Sequence, residues 1–170
     1  MRPFRFAVAR VVDTPADVVY HCLADYRVHH RPGGFLPPAF TELHVLRGGV
    51  GAGTVFRFTL RAGGRTRTRT QVVTEPCPGR MLVEHGKGER TTFTVEPRGE
   101  QTSVRIATVL RARGLERLLL PLLAPLVLRP LYSDELRRLE RYAREHNPDS
   151  AARHGSREVC SRGGRASSEH

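Results

Sequence analysis

Six stretches in the middle of this chain, residues 40–47, 54–61, 65–75, 80–85, 89–97 and 101–110, alternate apolar and polar side chains between turns containing glycine or proline. A period of two marks a strand with one buried face, and connections this short join neighbouring strands antiparallel. The middle of the chain therefore reads as a meander. One strand precedes it, with Phe4, Phe6, Val8, Arg10 and Val12 alternating with Arg5, Ala7, Ala9 and Val11. Next, Asp13-Thr14-Pro15-Ala16-Asp17 announces a helix, with Thr14 as N-cap, Pro15 as first helical residue and Asp17 as the acidic partner of a capping box. Its apolar stripe is Val18, Val19, Cys22 and Leu23. The segment from Tyr26 to Pro38 holds two glycines and three prolines, leaving room for at most a short second helix. From Leu115 to about His146 the pattern turns helical.

Four glycines stand in the six positions from Gly48 to Gly53. A phosphate-cradling loop needs a helix directly behind it, so that amide N–H groups and the helix dipole point at the anion. Directly behind these glycines stands Thr54-Val55-Phe56-Arg57-Phe58, a β pattern, so they are read as the turn of a hairpin.

Residues 1–146 suffice for one domain with a real core and leave no room for a second. Residues 147–170, rich in Ser, Gly, Arg and His, read as a disordered tail. No stretch approaches ~20 apolar residues, and Arg5, Arg10 and Asp13 interrupt any secretory segment, so a soluble protein is expected. Cys22, Cys77 and Cys160 are an odd, widely spaced set without a C-x-x-C pair, which suits a reducing, cytoplasmic compartment. The net charge of +11 would suit nucleic acid. However, Lys87 is the single lysine among 28 basic residues, a bias that codon usage explains equally well, and no helix-turn-helix, zinc-finger or RNP-type pattern accompanies it. No nucleic-acid partner is expected.

Hairpin loops decide which faces look inward. A three-residue Gly86-Lys87-Gly88 loop sets Glu84 opposite Arg90, whereas a two-residue Gly86-Lys87 loop would oppose it to Glu89, so the first is predicted. That register puts Met81, Val83 and His85 on one face with Thr91, Phe93 and Val95, and a Gly99-Glu100 turn carries the face on to Val104, Ile106 and Thr108. An odd loop around Gly63 sets Phe56, Phe58 and Leu60 beside Thr66, Thr68 and Thr70 and turns Arg57, Arg61, Arg65, Arg67 and Arg69 outward. The even register would bury arginines against Phe58, which is costly.

The order of elements resembles the helix-grip fold of the START-like superfamily. The resemblance rests on strand one running into Val12-Asp13-Thr14-Pro15-Ala16-Asp17-Val18-Val19-Tyr20 with Leu23-Ala24-Asp25, on the Gly48 to Gly53 hairpin, on Glu75-Pro76-Cys77-Pro78-Gly79-Arg80 and on Thr91-Thr92-Phe93-Thr94-Val95-Glu96-Pro97. Leu131-Tyr132-Ser133-Asp134-Glu135-Leu136-Arg137-Arg138-Leu139 is similar to the closing helix of the polyketide cyclase/dehydrase branch. It covers roughly residues 4–145 and implies an α+β protein, a curved antiparallel sheet of about seven strands around a long C-terminal helix, with one or two short helices after strand one. It also implies an internal cavity for a hydrophobic or aromatic small molecule; no cofactor is expected. With the registers above, Phe56, Phe58, Thr68, Thr70, Met81, Val83, His85, Phe93 and Ile106 line it from the sheet, and Tyr132 and Leu136 from the helix, where Leu139 and Ala143 continue the stripe. Core packing is the plainer reading of Leu136 and Leu139, and an ordinary strand position that of Thr68 and Thr70. His85 and Tyr132 bring polar atoms that need partners if buried. They are the catalytic candidates if the protein is an aromatase/cyclase, members of which use cavity arginines and tyrosines.

His21, Cys22, Asp25, His29 and His30 cluster around the first helix, with His21 and Asp25 on one i,i+4 face. The spacing supplies no third fixed ligand, so solvated or helix-end histidines are expected, and no metal. Cys77, between Pro76 and Pro78, has no histidine at a diagnostic spacing and is not read as a nucleophile. The run Leu118-Leu119-Leu120-Pro121-Leu122-Leu123-Ala124-Pro125-Leu126-Val127-Leu128 is apolar all round. It is too short to span a bilayer, and its prolines are expected to kink or break it. Its outer side should cover the cavity, meet a twin subunit in a homodimer, or touch a membrane surface with Arg111, Arg113, Arg117 and Arg129.

Overall fold

A computed structural model describes residues 3–30, 34–62, 64–111 and 116–147, the side chains of 116–120 excepted; the tail at 148–170 lies outside the described residues. The elements are β1 (Phe4–Val12), α1 (Ala16–Ala24), β2 (Phe40–Arg47), β3 (Val55–Ala62), β4 (Arg65–Cys77), β5 (Met81–Gly86), β6 (Glu89–Arg98), β7 (Gln101–Leu110) and α2 (Glu116–Glu145). Every strand pairs antiparallel in one sheet of order β1-β7-β6-β5-β4-β3-β2, so the meander keeps sequence neighbours together and β1 joins its far edge. The C-terminal helix packs against β1 and α1, and this is the helix-grip arrangement.

The glycine run forms the β2–β3 connection and also docks α1. Its Gly51 N–H donates to the Ala24 carbonyl at 2.9 Å, and the Tyr26 N–H donates to the Gly49 carbonyl at 2.8 Å. Glu75 of β4 accepts from the Ala52 N–H at 2.7 Å and from the Tyr20 hydroxyl at 2.5 Å. Gly51 has a φ of +59°, a conformation that favours glycine, and a Cβ there would stand 2.3 Å from that carboxylate and push it aside.

One local expectation needs correcting, and two open ones are resolved. Helix α1 starts one residue later than its sequence suggests: Pro15 is its N-cap, and no side chain caps it. Thr14 is buried instead, its carbonyl accepting from the Thr102 hydroxyl at 2.6 Å. Between β1 and β2, α1 is the only helix among the described residues, because the segment after it is spent on turns. Pro121, Pro125 and Pro130 all lie inside an uninterrupted α2. Pro121 and Pro130 are exposed, so water can satisfy carbonyls that a proline leaves unpaired there.

Two hairpin registers also differ from expectation, each by one residue. Gly86 pairs with Glu89, so the β5–β6 loop is Lys87-Gly88 and Glu84 faces Thr91. This choice puts Leu82 opposite Phe93, fully buried. Burying a leucine is worth about 2 kcal/mol, more than the ~0.2–1 kcal/mol of the cross-strand Glu84–Arg90 pair on which the expected register rested. Likewise Ala62 pairs with Arg65, which sets Phe58 opposite Arg69 and Leu60 opposite Arg67. Arg65, Arg67 and Arg69 therefore point inward. The desolvation cost that argued against them is not incurred, because this end of the inner face borders a cavity and Arg65 and Arg67 are exposed.

The packed core sits at the other end. Val19, Leu23, Phe35, Leu82, Val95, Val104, Ile106, Leu136, Leu139 and Ala143 join α1, the segment after it, the sheet centre and the second half of α2.

Candidate functional site

Between the β2–β4 side of the sheet and the first half of α2 the side chains leave a cavity of about 690 Å³. One wall is aromatic and aliphatic: Phe40, Leu43, Phe56, Phe58 and Leu60 from the sheet face Leu128 and Leu131 of the helix. The Phe56 and Phe58 rings lie 5.9 Å apart and Phe40 is 5.5 Å from Phe58, a surface suited to a flat apolar molecule.

A charged wall adjoins it. Arg65, Arg67, Arg69 and Gln71 occupy alternate positions of β4 and so project on one face, as the pleat requires. The Arg69 Nε lies 3.9 Å from Glu89 Oε1, which also accepts from Gln71 Nε2 at 3.0 Å. Burial lifts the Glu89 carboxyl above its ordinary range while Arg69 and Arg67 pull it back. The other amide atom of Gln71, Oε1, is buried and has no partner among the described residues.

Deeper in stand two enclosed carboxyls, Glu84 of β5 and Glu135 of α2. Glu84 accepts a 2.6 Å bond from the hydroxyl of Tyr26, whose ring is held between His30 and Phe56 at 4.2 and 4.6 Å. Burial raises Glu84 from 4.5 to about 7, against the pull of that hydroxyl. Burial, and then the charge of Glu84, raise Glu135 to about 8. Near neutral pH both hold and release protons, as a general acid and base must. His30 is 2.9 Å from the Leu23 carbonyl through Nε2. A carbonyl only accepts, so Nε2 carries the proton and Nδ1 is the lone-pair nitrogen. Burial lowers His30 to about 4, so the ring is neutral. Tyr132 closes the constellation: its hydroxyl is 2.6 Å from that of Thr108, itself 3.0 Å from that of Thr91, and burial pushes the phenol above its usual range.

Of the side chains expected to line the cavity, Phe56, Phe58, Phe93 and Tyr132 do so. Ile106 and Leu136 are in the packed core. Thr68, Thr70, Met81, Val83 and His85 lie on the opposite face of the sheet, a consequence of the one-residue shifts. There His85 is exposed and bonds to Thr74 at 2.9 Å, so it is not a cavity acid or base. Sequence reasoning missed Arg65, Arg67, Arg69, Gln71, Glu84, Glu89, Glu135 and His30 as cavity groups, and Tyr26 as the core residue that bonds to Glu84. A signal existed for two of them. Glu84 interrupts an apolar run, Met81-Leu82-Val83, and Glu135 falls on the helical stripe shared by Leu128, Leu131, Tyr132 and Leu139. A carboxylate on a buried stripe is rare unless it is paired or functional.

On the helix beside the cavity, Leu122, Leu123 and Leu126 are exposed, and Leu123 and Leu126 also line it. Among the described residues no helix is long and apolar enough to cross a membrane.

The fold recurs in solved structures. KanY matches with a TM-score of 0.72 at 24% identity, covering 84% of this chain and 99% of that one. The Zhui aromatase/cyclase from Streptomyces sp. R1128 matches with a TM-score of 0.68 at 15% identity, over 87% of this chain and 98% of its own. A START superfamily protein from Mycobacterium smegmatis gives 0.63 at 13% identity, over 84% and 99%. At such identities the likeness is one of fold. No curated protein matches the sequence. A family model does, over residues 3–144, a span that includes every cavity residue named above, and the chain therefore belongs to the family of polyketide cyclase / dehydrase and lipid transport proteins.

Proposed function

We propose that the cavity binds a hydrophobic, oxygen-bearing small molecule with a flat or aromatic body. The observation that carries this reading is the pairing of the Phe56–Phe58 wall with the inward arginine row of β4 in a single cavity of about 690 Å³. That volume suits a ligand of drug size, with a few placed polar groups setting orientation. Such a ligand lays its apolar body on the phenylalanines and its carbonyl, enol or carboxylate oxygens toward Arg67 and Arg69. Native mass spectrometry of the purified protein should show a bound mass in this class that is released on denaturation. A protein that carries none, and takes up none from a panel of polyketide-like, aromatic and fatty-acyl compounds, sinks the proposal.

A second reading, turnover by cyclase-type chemistry, is favoured by the two enclosed carboxyls. One, as carboxylate, takes a proton from carbon beside a ketone while a guanidinium stabilises the enolate oxygen. The enolate carbon then attacks a second ketone, whose oxygen takes a proton from the other carboxyl as the carbonyl π bond breaks; in dehydration a carboxylate removes the next proton from the same carbon while a carboxylic acid protonates the hydroxyl that leaves as water. The fold neighbour named as an aromatase/cyclase lends this reading an analogy of architecture. A poly-β-keto thioester mimic should be converted by the wild type and at least a hundredfold more slowly by Glu135→Gln. An unchanged product profile with and without protein leaves binding alone.

The exposed Leu122, Leu123 and Leu126 support a contact surface beside the cavity. Vesicle co-sedimentation separates membrane contact from a twin subunit, which size-exclusion chromatography would report. Leu126→Asp should abolish whichever of the two is seen, and a wild-type monomer that ignores vesicles removes this surface from the account.

A further inference from the structure

We propose that His21, Asp25 and His29, none of which lines the cavity, form a site for a divalent transition metal at the end of α1. One ligand atom from each of these three residues lies within 4.8 Å of the others. The sequence showed only two of them on one helical face. The third arrives because the chain turns directly after α1: the His29 N–H donates to the Asp25 carbonyl at 3.2 Å, and the His29 ring comes edge-on to His21 at 5.4 Å.

Each ligand is prepared in a different way. Asp25 is the C-cap of α1, and its Oδ1 accepts from the N–H groups of Arg27 and Val28 at 2.9 and 3.0 Å, which fixes the carboxylate and leaves Oδ2 for a metal. The negative end of the α1 dipole favours a cation at this place. His29 is buried, and its Nδ1 lies 2.7 Å from the Tyr142 hydroxyl of α2, the kind of outer contact that orients a ligating imidazole. His21 is exposed and can rotate. Two ligands on one zinc, each at ~2.0–2.1 Å, stand about 3–3.5 Å apart, so rotation of the exposed His21 ring and small side-chain shifts of Asp25 and His29 would close the remaining gap. Two imidazoles and one carboxylate select borderline ions such as Zn²⁺, Co²⁺ or Ni²⁺ over Mg²⁺ or Ca²⁺. A bound ion would staple the end of α1 to α2 through His29 and Tyr142.

Titrating the full-length, metal-stripped protein with Zn²⁺ by calorimetry, and with Co²⁺ by visible absorption, tests the site. One equivalent should bind, the Co²⁺ spectrum should lack thiolate charge-transfer bands, and the melting temperature should rise on loading. His21→Ala, at an exposed position, and Asp25→Asn, which keeps the cap acceptor, should each weaken Zn²⁺ at least tenfold while circular dichroism stays unchanged. Undiminished affinity in His21→Ala, a thiolate band, or no binding by the wild type overturns the proposal.

Discussion

Glu84→Gln/Glu135→Gln is expected to be more stable than the wild type at pH 8, by several kcal/mol, and to lose most of the wild type's dependence on pH between 5 and 8. Both carboxyls have folded-state pKa values above the ordinary 4.5, about 7 for Glu84 and about 8 for Glu135, with burial as the main cause. Below 4.5 they are protonated whether the chain is folded or not and cost nothing. As pH rises, the unfolded chain releases these protons while the folded one keeps them, so stability falls until pH passes about 7 and then about 8. At ~1.4 kcal/mol per tenfold change in proton affinity, the limiting costs are about 3 and about 5 kcal/mol. Even half of that sum, at ~2–4 °C per kcal/mol for a domain near this size, gives a melting temperature about 10 °C higher in the double variant at pH 8. Glutamine keeps an acceptor for the Tyr26 hydroxyl, so that bond need not be lost. His30 acts in the opposite sense: lowered to about 4 by burial, it must gain a proton on unfolding below its ordinary 6.5, and a loss of stability on the acid side should persist in the double variant. A wild type whose melting temperature is flat from pH 5 to 8 would mean that both carboxyls are ionised when folded, and the acid–base reading of the cavity would fall with them.

A domain that retains two such carboxyls where glutamine would be more stable gives up stability in the way active sites do. This is why the pair weighs toward chemistry as well as binding. The same logic explains which parts of the molecule were legible in its sequence. Strand positions followed from alternation and turn residues, since both are local, and the order of elements then left little choice of architecture. Which way each strand faces followed from an added premise, that apolar residues point in and charged ones out. At β7 and β6 the premise held, and Phe93, Val95, Val104 and Ile106 are buried. At β4 it inverted the strand, because a cavity wall rewards guanidinium groups on the inside that a packed core would reject. The turn itself carried the correct answer, as Gly64 has a φ of +71° in the connection that pairs Ala62 with Arg65. A one-residue slip exchanged Thr68 and Thr70 for Arg67 and Arg69, and His85 for Glu84, so the fold survived the error while the site did not. Tyr26 and His30 were hidden for another reason: they belong to the turns after α1, where no periodicity assigns a face.

The second large effect concerns the cavity as a whole. If dry, unrelaxed and empty, about 690 Å³ at ~24 cal/mol per Å³ would cost on the order of 17 kcal/mol, more than the ~5–15 kcal/mol that holds a typical domain together. The cavity opens to solvent past the exposed Arg65 and Arg67, so water can occupy it, and a ligand of matching shape that displaces the water must stabilise the fold by RT ln(1 + [L]/Kd). At a hundredfold excess over Kd that is ~2.7 kcal/mol, an upward shift of about 5–10 °C in the melting temperature. Arg67→Gln should leave the unliganded protein intact, since the side chain is exposed, yet weaken an oxygen-bearing ligand about 10- to 100-fold, the worth of a charged hydrogen bond. Phe58→Ala should weaken oxygenated and plain aromatic ligands alike. Thr68→Val, Thr70→Val and His85→Ala, on the far face, should leave every ligand's shift as it is in the wild type. The reverse pattern, with Thr68→Val felt and Arg67→Gln silent, would turn β4 over and return the arginines to the outer face. Shifts lost equally for charged and uncharged ligands in Arg67→Gln would mean that the guanidinium supports the wall and does not recognise the ligand.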